Sequence, residues 1–261
     1  MNHTILILSG KTILITRSKN ASAEIQSLLE SRAASIICLP TIEIIDPDSW
    51  NDCDAKIWKL AEYDSVCFTS KNAVDKFVKR IRFLRPQALN TLATRNLYAV
   101  GEKTKSTLEA SGFSVQLIPQ KHSAENLVQS FYGQNISGKH FLFPKSNIAC
   151  DIMPKELRSL GAIVDEIITY KTVIPDPENL EYIRTLLTNG KIDIITFFNP
   201  SSVRNFVEMI GVDTLLHVLI AVIGATTAEA VKEVGLEVNI VAKQQTAESL
   251  VQGIVDYFGD L

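Results

Sequence analysis

The chain has 261 residues, with 26 basic side chains against 29 acidic ones and a net charge of −3. Hydrophobic residues make up 46% and charged residues 21%, which excludes a disordered chain and suits one large domain or two of about 100–130 residues each. A slightly acidic balance speaks against a general nucleic-acid binder, since a phosphate backbone recruits a clear basic excess, but a small anionic ligand needs only a few aimed donors.

The first 18 residues hold two short apolar runs separated by one turn, without a basic leader region or a small-residue cleavage site. They read as structural segments, not a signal peptide. No apolar run reaches the roughly 18 residues of a membrane-spanning helix, so no membrane association is expected. Lys11–Thr16 is a predicted strand with Arg17 just past it, and Cys38 lies in a second apolar run. Leu39–Asp46 alternates in polarity and stops at Pro47, which suits a partly exposed strand. Asp64–Phe68 is rich in β-branched and aromatic residues, as a buried strand is. After Thr69, Ser70, Lys71 and Asn72, a helix is predicted from Val74, Phe77, Val78 and Ile81, one apolar stripe at i, i+3, i+4 and i+7. A strand over Leu97–Val100 leads into the turn Gly101–Thr104, and Ser123 opens a further helix. Lys139–Pro144 is another strand, followed by Lys145. Ile168–Ile174, which contains Tyr170 and stops at Pro175, resembles Leu39–Asp46 in character; together they read as the two strands connecting two domains.

The remainder repeats what precedes it. Asp193–Phe198 matches the strand starting at Asp64, 129 residues earlier (193 against 64). Asn199, Ser201 and Ser202 stand in its turn, and Val203, Phe206, Val207 and Ile210 repeat the helical stripe. Leu219–Gly224 with Thr226 and Thr227 matches Leu97–Thr104 at an offset of 123 (224 against 101), and Thr246 matches Ser123 at the same offset. More weakly, Lys11–Arg17 matches Lys139–Lys145 at 128 (145 against 17). Strand and helix alternate throughout, which predicts an α/β fold of two doubly wound parallel-sheet domains related by internal duplication.

Ligands of open parallel sheets bind outside the carboxyl ends of the strands. Those ends carry small hydroxyl, amide and glycine residues here, and each has two readings. Ser, Thr and Asn cap helices, worth about 1 kcal/mol apiece, and glycine relieves a tight turn. The same free N–H groups and positive dipole ends bind carboxylates or phosphates. Arg17 and Lys145 are either solvated charges or cations set to meet an anion. Tyr170 either packs at a junction or offers a phenol to substrate. No phosphate loop or dinucleotide fingerprint occurs, nor any nucleophilic triad or assignable carboxylate dyad, so an enzyme here would work by holding a reactive substrate in a chosen geometry. Cys38, Cys53, Cys67 and Cys150 form no CxxC pair and read as buried free thiols of a reducing compartment. His3, His122, His140 and His217 lack metal-ligand spacing, so no zinc site is expected.

Seven motifs, taken in order, resemble the uroporphyrinogen-III synthase family: Ile13-Leu-Ile-Thr-Arg17, Phe68-Thr-Ser-Lys-Asn-Ala-Val74, Tyr98-Ala-Val-Gly101 with Thr104, Ile168-Thr-Tyr170-Lys-Thr172, Phe197-Phe-Asn-Pro-Ser-Ser202, Ile223-Gly-Ala-Thr-Thr-Ala228 and Thr246-Ala-Glu-Ser-Leu250. The resemblance covers about residues 11–258. It implies a discontinuous first domain of residues 1–38 and 175–261, a second domain of 47–166, and a connecting β-ladder of 39–46 and 167–174. It further implies a cyclising hydro-lyase without cofactor or metal, converting hydroxymethylbilane to uroporphyrinogen III with inversion of ring D and loss of water. A cytoplasmic monomer is implied, with handover of the linear tetrapyrrole from hydroxymethylbilane synthase. Tyr170 matches the family tyrosine and is the expected catalytic residue. Arg17, Thr69, Ser70, Lys71, Asn72, Gly101, Thr104, Lys145, Asn199, Ser201, Ser202, Gly224, Thr226 and Thr227 are the expected substrate-binding set. Lys71-Asn72 stands where many relatives have Pro-Arg, moving the expected basic contact to Lys71, and Asn199 stands where relatives often have Ser or Thr. The rival readings are a non-catalytic two-domain binding protein for a small polyanion and a sugar-phosphate enzyme.

Overall fold

The computed structural model describes residues 6–116, 124–215 and 217–259. The chain runs β1 (Thr12–Ile15), α1 (Ala23–Glu30), β2 (Ser35–Cys38), β3 (Glu43–Ile45), α2 (Asn51–Trp58), β4 (Ser65–Phe68), α3 (Lys71–Leu84), α4 (Ala88–Ala93), β5 (Asn96–Ala99), α5 (Glu102–Ala110) and α6 (Ala124–Gln129). It continues through β6 (His140–Ser146), α7 (Ile152–Ser159), β7 (Ile163–Val173), α8 (Leu180–Thr188), β8 (Ile194–Phe197), α9 (Pro200–Ile210), β9 (Leu219–Val222), α10 (Ala225–Glu233), β10 (Ile240–Val241) and α11 (Ala247–Gly259). Two compact units result: one takes the residues up to Glu43 and those from Val173 on, the other Ile44–Thr172.

The discontinuous unit has a five-stranded sheet in the order β10-β9-β8-β1-β2, with each pairing parallel. Period-2 alternation sends successive side chains to opposite faces, so the strands feed two cores. Leu14, Ile195, Phe197, Ile220 and Val222 join Val203, Phe206 and Ile210 of α9 on one face. Ile13, Ile15, Ile194 and Ala221 join Ile25 and Leu29 of α1 and Leu250 and Ile254 of α11 on the other.

The continuous unit has the order β3-β7-β6-β4-β5, again with parallel pairing of β4, β5, β6 and β7. Val66, Phe68, Leu97, Ala99 and Leu142 pack on Val74, Phe77, Val78 and Ile81 of α3, while Cys67, Phe141 and Phe143 face Met153 and Leu157 of α7. The predicted stripe of α3 is thus buried as expected. Cys38 sits in β2 and Cys67 in β4, but of the four thiols only Cys53 and Cys67 are fully buried; Cys38 is half-buried and Cys150 exposed.

The two sheets share one plan. In both, the strand pair that carries the strongest repeat (β8-β9 and β4-β5) is followed across the sheet by the strand of the weaker repeat (β1 and β6). Asp193 and Asp64 do equivalent work at the amino ends. Asp193 accepts the Thr12 N–H at 2.8 Å and lies 3.3 Å from the Lys11 ammonium. Asp64 accepts the His140 N–H at 2.9 Å and lies 3.1 Å from the Lys139 ammonium. Residues 117–118, which stand where β10 stands in the other copy, lie outside the described residues, as do Ser123, His3 and His122.

One expected element differs in form. The connecting stretches do become neighbouring strands, but β7 is a single strand of 11 residues paired to β6 from Ile163 to Tyr170. Nothing in Ile163–Val173 breaks a strand, since it holds no Gly or Pro, so the ladder is the continuation of a sheet. On the opposite side, β3 is only three residues long.

Candidate functional site

Each sheet has a topological switch point, where neighbouring strands send their connections in opposite directions and a crevice opens at their carboxyl ends. In the discontinuous unit this lies between β1 and β8, because β1 leads to β2 on one side and β8 to β9 on the other. In the continuous unit it lies between β6 and β4 for the same reason. The sequence-predicted site residues stand in the last part of, or just after, β1 and β4 to β9, a set in each unit.

In the continuous unit, Ser70 caps α3: its Oγ accepts the Ala73 N–H at 3.1 Å. The same oxygen is 2.9 Å from the Tyr170 hydroxyl, with either group able to donate. Tyr170 is buried, sits opposite Ser146 in the β6–β7 register, and packs in the core with Phe68 and Phe77. Capping and phenol placement are therefore one arrangement. Thr69 and Asn72 are half-buried beside it and Lys71 is exposed on the first turn of α3. Among the described residues, Lys71 has neither an ion-pair nor a hydrogen-bond partner.

Gly101 stands at the N-terminus of α5 with φ 89° and ψ 153°, a conformation that an L side chain resists. Thr104 on the following turn is buried, and its hydroxyl has no hydrogen-bond partner among the described residues. Thr227 repeats this on α10. Gly224 has extended backbone instead, and a methyl there would lie 3.2 Å from Cγ and Nε2 of Gln245, so the side chain of Gln245 crosses closely over this turn. Thr226 is exposed.

The two basic candidates part company. Arg17 is half-buried, with its guanidinium 4.0 Å from the centroid of the Phe198 ring. Burial pushes its pKa down, with Glu24 pulling it back up, and no salt bridge engages it among the described residues. Lys145 is held by Asp151 at 2.7 Å and Glu166 at 2.6 Å, its side chain only 11% exposed. Burial disfavours that charge, yet the two carboxylates outweigh it and hold the Lys145 pKa above its ordinary value. Neither residue is a simple solvated cation: two carboxylates compensate the Lys145 charge, whereas no carboxylate among the described residues pairs with Arg17.

At the end of β8, Asn199 and Ser202 form a reciprocal capping box: Oδ1 of Asn199 accepts the Ser202 N–H at 2.8 Å, and Oγ of Ser202 accepts the Asn199 N–H at 3.4 Å. The capping reading is met in full for these two, while Ser201 is exposed. Thr246 likewise accepts the Ser249 N–H at 3.2 Å on α11.

Several supporting residues carried no sequence signal of their own. Thr16 donates to the Thr196 carbonyl at 2.7 Å and Thr41 to the Thr16 carbonyl at 3.3 Å, both buried. They pin the chain as it leaves β1, just before Arg17. Phe198 under Arg17, and Asp151 and Glu166 around Lys145, became recognisable only through contact. No group of three or more His, Cys, Asp or Glu side chains among the described residues has metal-binding geometry.

Comparison with known proteins bears on what this arrangement serves. A family model described as uroporphyrinogen-III synthase HemD matches residues 8–252. The uroporphyrinogen-III synthase of Chlorobaculum parvum is 32% identical over 247 residues, covering 94% of this chain and 98% of that protein. That of Synechococcus elongatus is 31% identical over 257 residues, with 95% of each covered. In fold, the chain is similar to a mutant uroporphyrinogen III synthase of Thermus thermophilus (TM-score 0.68, 17% identity, 96% of this chain and 100% of that one). It is also similar to the Helicobacter pylori uroporphyrinogen-III synthetase (TM-score 0.63, 18% identity, 95% and 99%). A family match that spans both units, together with relatives matched over nearly their whole length, shows that the chain belongs to the uroporphyrinogen-III synthase family.

Proposed function

We propose that Tyr170 and the donors at the carboxyl ends of the two sheets carry the family's reaction in this chain, the cyclisation of hydroxymethylbilane to uroporphyrinogen III. The observation that carries this reading is the 2.9 Å contact between the Tyr170 hydroxyl and the cap of α3. A buried phenol held there has its oxygen fixed in place, and its proton can be offered from that position. The linear substrate must lose its terminal hydroxyl, and a proton from Tyr170 lets that group leave as water. The resulting azafulvene cation is stabilised by its pyrrole, so the assistance required is modest. Ring D then inverts through a spirocyclic intermediate, and the proton lost as the attacked pyrrole ring regains its aromaticity restores the phenol. Atoms balance as substrate going to product plus one water.

The eight carboxylates of the substrate need donors, not a basic surface. Arg17, the first turn of α3 with Thr69, Lys71 and Asn72, and the hydroxyls of Thr104 and Thr227, which have no partner among the described residues, supply them. Arg17 stacked on Phe198 is suited to a carboxylate because its guanidinium is partly desolvated and rests against the ring. Lys145 is assigned a supporting role, since Asp151 and Glu166 already satisfy it. The chemistry asks for no metal, because protonation and conformational restriction suffice.

The reading extends to a monomer acting in the cytoplasm on substrate handed over by hydroxymethylbilane synthase. It is supported by the family and by the finding that no helix among the described residues is long and apolar enough to cross a membrane. The test supplies hydroxymethylbilane and resolves the two product isomers. The type III isomer is expected to dominate; only the type I isomer of spontaneous closure would defeat the reading.

A further inference from the structure

A pocket of about 190 Å³ in the continuous unit is lined by Asp46, Trp50, Lys76, Lys79, Arg80 and Phe83. It is built between the segment that leads from β3 into α2 and the part of α3 beyond its first turn, and shares no residue with the carboxyl-end set. Arg80 organises it. Its guanidinium carbon lies 4.9 Å from the centroid of the Trp50 ring and 5.2 Å from that of Phe83. Nε donates to one oxygen of Asp54 at 2.7 Å and Nη2 donates to the other. Nη1 has no hydrogen-bond partner among the described residues. The Lys79 ammonium also has none, whereas Lys76 is paired with Asp46. Phe83 leaves 77% of its surface in water.

These features fit one ligand chemistry. Three cations (Lys76, Lys79, Arg80) face two anions (Asp46, Asp54), leaving one positive charge and two free donor groups for an anion. The ring faces beside Arg80 offer a stacking surface that a planar aromatic ring can extend. A purely structural ion pair accounts for Arg80 and Asp54, but not for an exposed Phe83 beside an unpaired Lys79. The volume lies below the roughly 300–1,000 Å³ of drug-sized pockets, which limits the ligand to one or two fused rings. We propose that this pocket binds a small aromatic carboxylate, its ring stacked against Phe83 and Trp50 and its carboxylate on Lys79 and Nη1 of Arg80.

Calorimetric titration of the full chain with 2-naphthoate tests this. One saturable site is expected, with Kd of about 0.1–1 mM for a fragment of this size. Neutral 2-naphthamide, cyclohexanecarboxylate and inorganic phosphate are each expected to bind at least about tenfold more weakly, since each lacks the charge or the aromatic ring. Lys79→Ala and Phe83→Ala should each weaken naphthoate binding about fivefold to tenfold while hydroxymethylbilane conversion is unchanged, because both side chains lie on the pocket alone. Absence of saturable binding overturns the proposal. Equal binding of the naphthamide, the cyclohexane acid or phosphate does so too, as does naphthoate binding that survives both substitutions, which would place it elsewhere on the chain.

Discussion

Tyr170 and Ser70 show how much one hydrogen bond can combine. Ser70 satisfies an orphan amide of α3 and, through the same oxygen, fixes the phenol. Tyr170→Phe keeps the ring in its core and leaves Ser70 its Ala73 contact. It should therefore cost less than about 1.5 kcal/mol of stability, the net worth of one hydrogen bond. Conversion of hydroxymethylbilane should fall by roughly 10²-fold, the lower end for a removed general acid. Full activity in stopped assays would reduce Tyr170 to a packing residue. The role proposed for Arg17 is in binding and not at the leaving group. Arg17→Gln is expected to raise KM about tenfold with kcat nearly unchanged, the pattern of one lost charge-assisted contact. A drop in kcat at constant KM would contradict that assignment. The matching basic residue, Lys145, shows that equivalent sequence positions need not share surroundings: Asp151 and Glu166 approach it, and no carboxylate among the described residues pairs with Arg17.

The elements follow local rules closely. The stripes of α3 and α9 bury three matching positions, Val74, Phe77 and Ile81 against Val203, Phe206 and Ile210, while Val207 is half-buried where Val78 is buried; both helices start at a side chain that accepts an N3 amide. Gly101 alone at the site needs a positive φ, so Gly101→Ala should cost about 1–2 kcal/mol, whereas Gly224 carries no such strain. At the other edge of the sheets, Asp193 and Asp64 tie the amino end of a neighbouring strand to a lysine. Asp193→Ala removes the acceptor from the Thr12 amide and should lower stability by about 1–2 kcal/mol in urea unfolding; Asp193→Asn, which keeps an acceptor, should lose less. Equal losses would show that the charge matters more than the amide. None of these contacts touches the carboxyl ends, so activity per folded molecule should be retained.

For the molecule as a whole, pH reports on burial. Burial pushes the Cys53 thiol up to about 12 and raises Cys67, while Tyr63 is raised by burial and by its hydrogen bond to Asp165. In each case the folded value lies above the unfolded one, so the fold favours the neutral form. The associated stability is complete below the unfolded thiol pKa near 8.5 and is lost as pH rises through it towards the folded values, at up to about 1.4 kcal/mol per pH unit per group. The urea midpoint under reducing conditions should accordingly hold up to about pH 8 and fall steadily above about 8.5. Cys53→Ala with Cys67→Ala should flatten that fall; an equally steep decline in the double variant would assign it elsewhere. A net charge of −3 is compatible with an octa-anionic substrate, because carboxylates need only a few local donors and no basic surface.

Much of this protein was legible before folding, for physical reasons. Buried parallel strands demand near-continuous apolar runs and their helices a 3.6-residue stripe, so strand, helix and repeat were all written in the order of residues. The ends of strands were legible too, because capping and anion binding draw on the same small side chains. Contacts between residues distant in sequence were not. That Lys145 is neutralised, that Arg17 rests on Phe198, that Ser70 meets Tyr170 100 residues away, and that Trp50, Arg80 and Phe83 stack into a pocket all depend on which elements become neighbours. The length of β7 was decided in the same way: polarity marked where a strand could lie, and only pairing with β6 decided that the connection and the sheet were one strand.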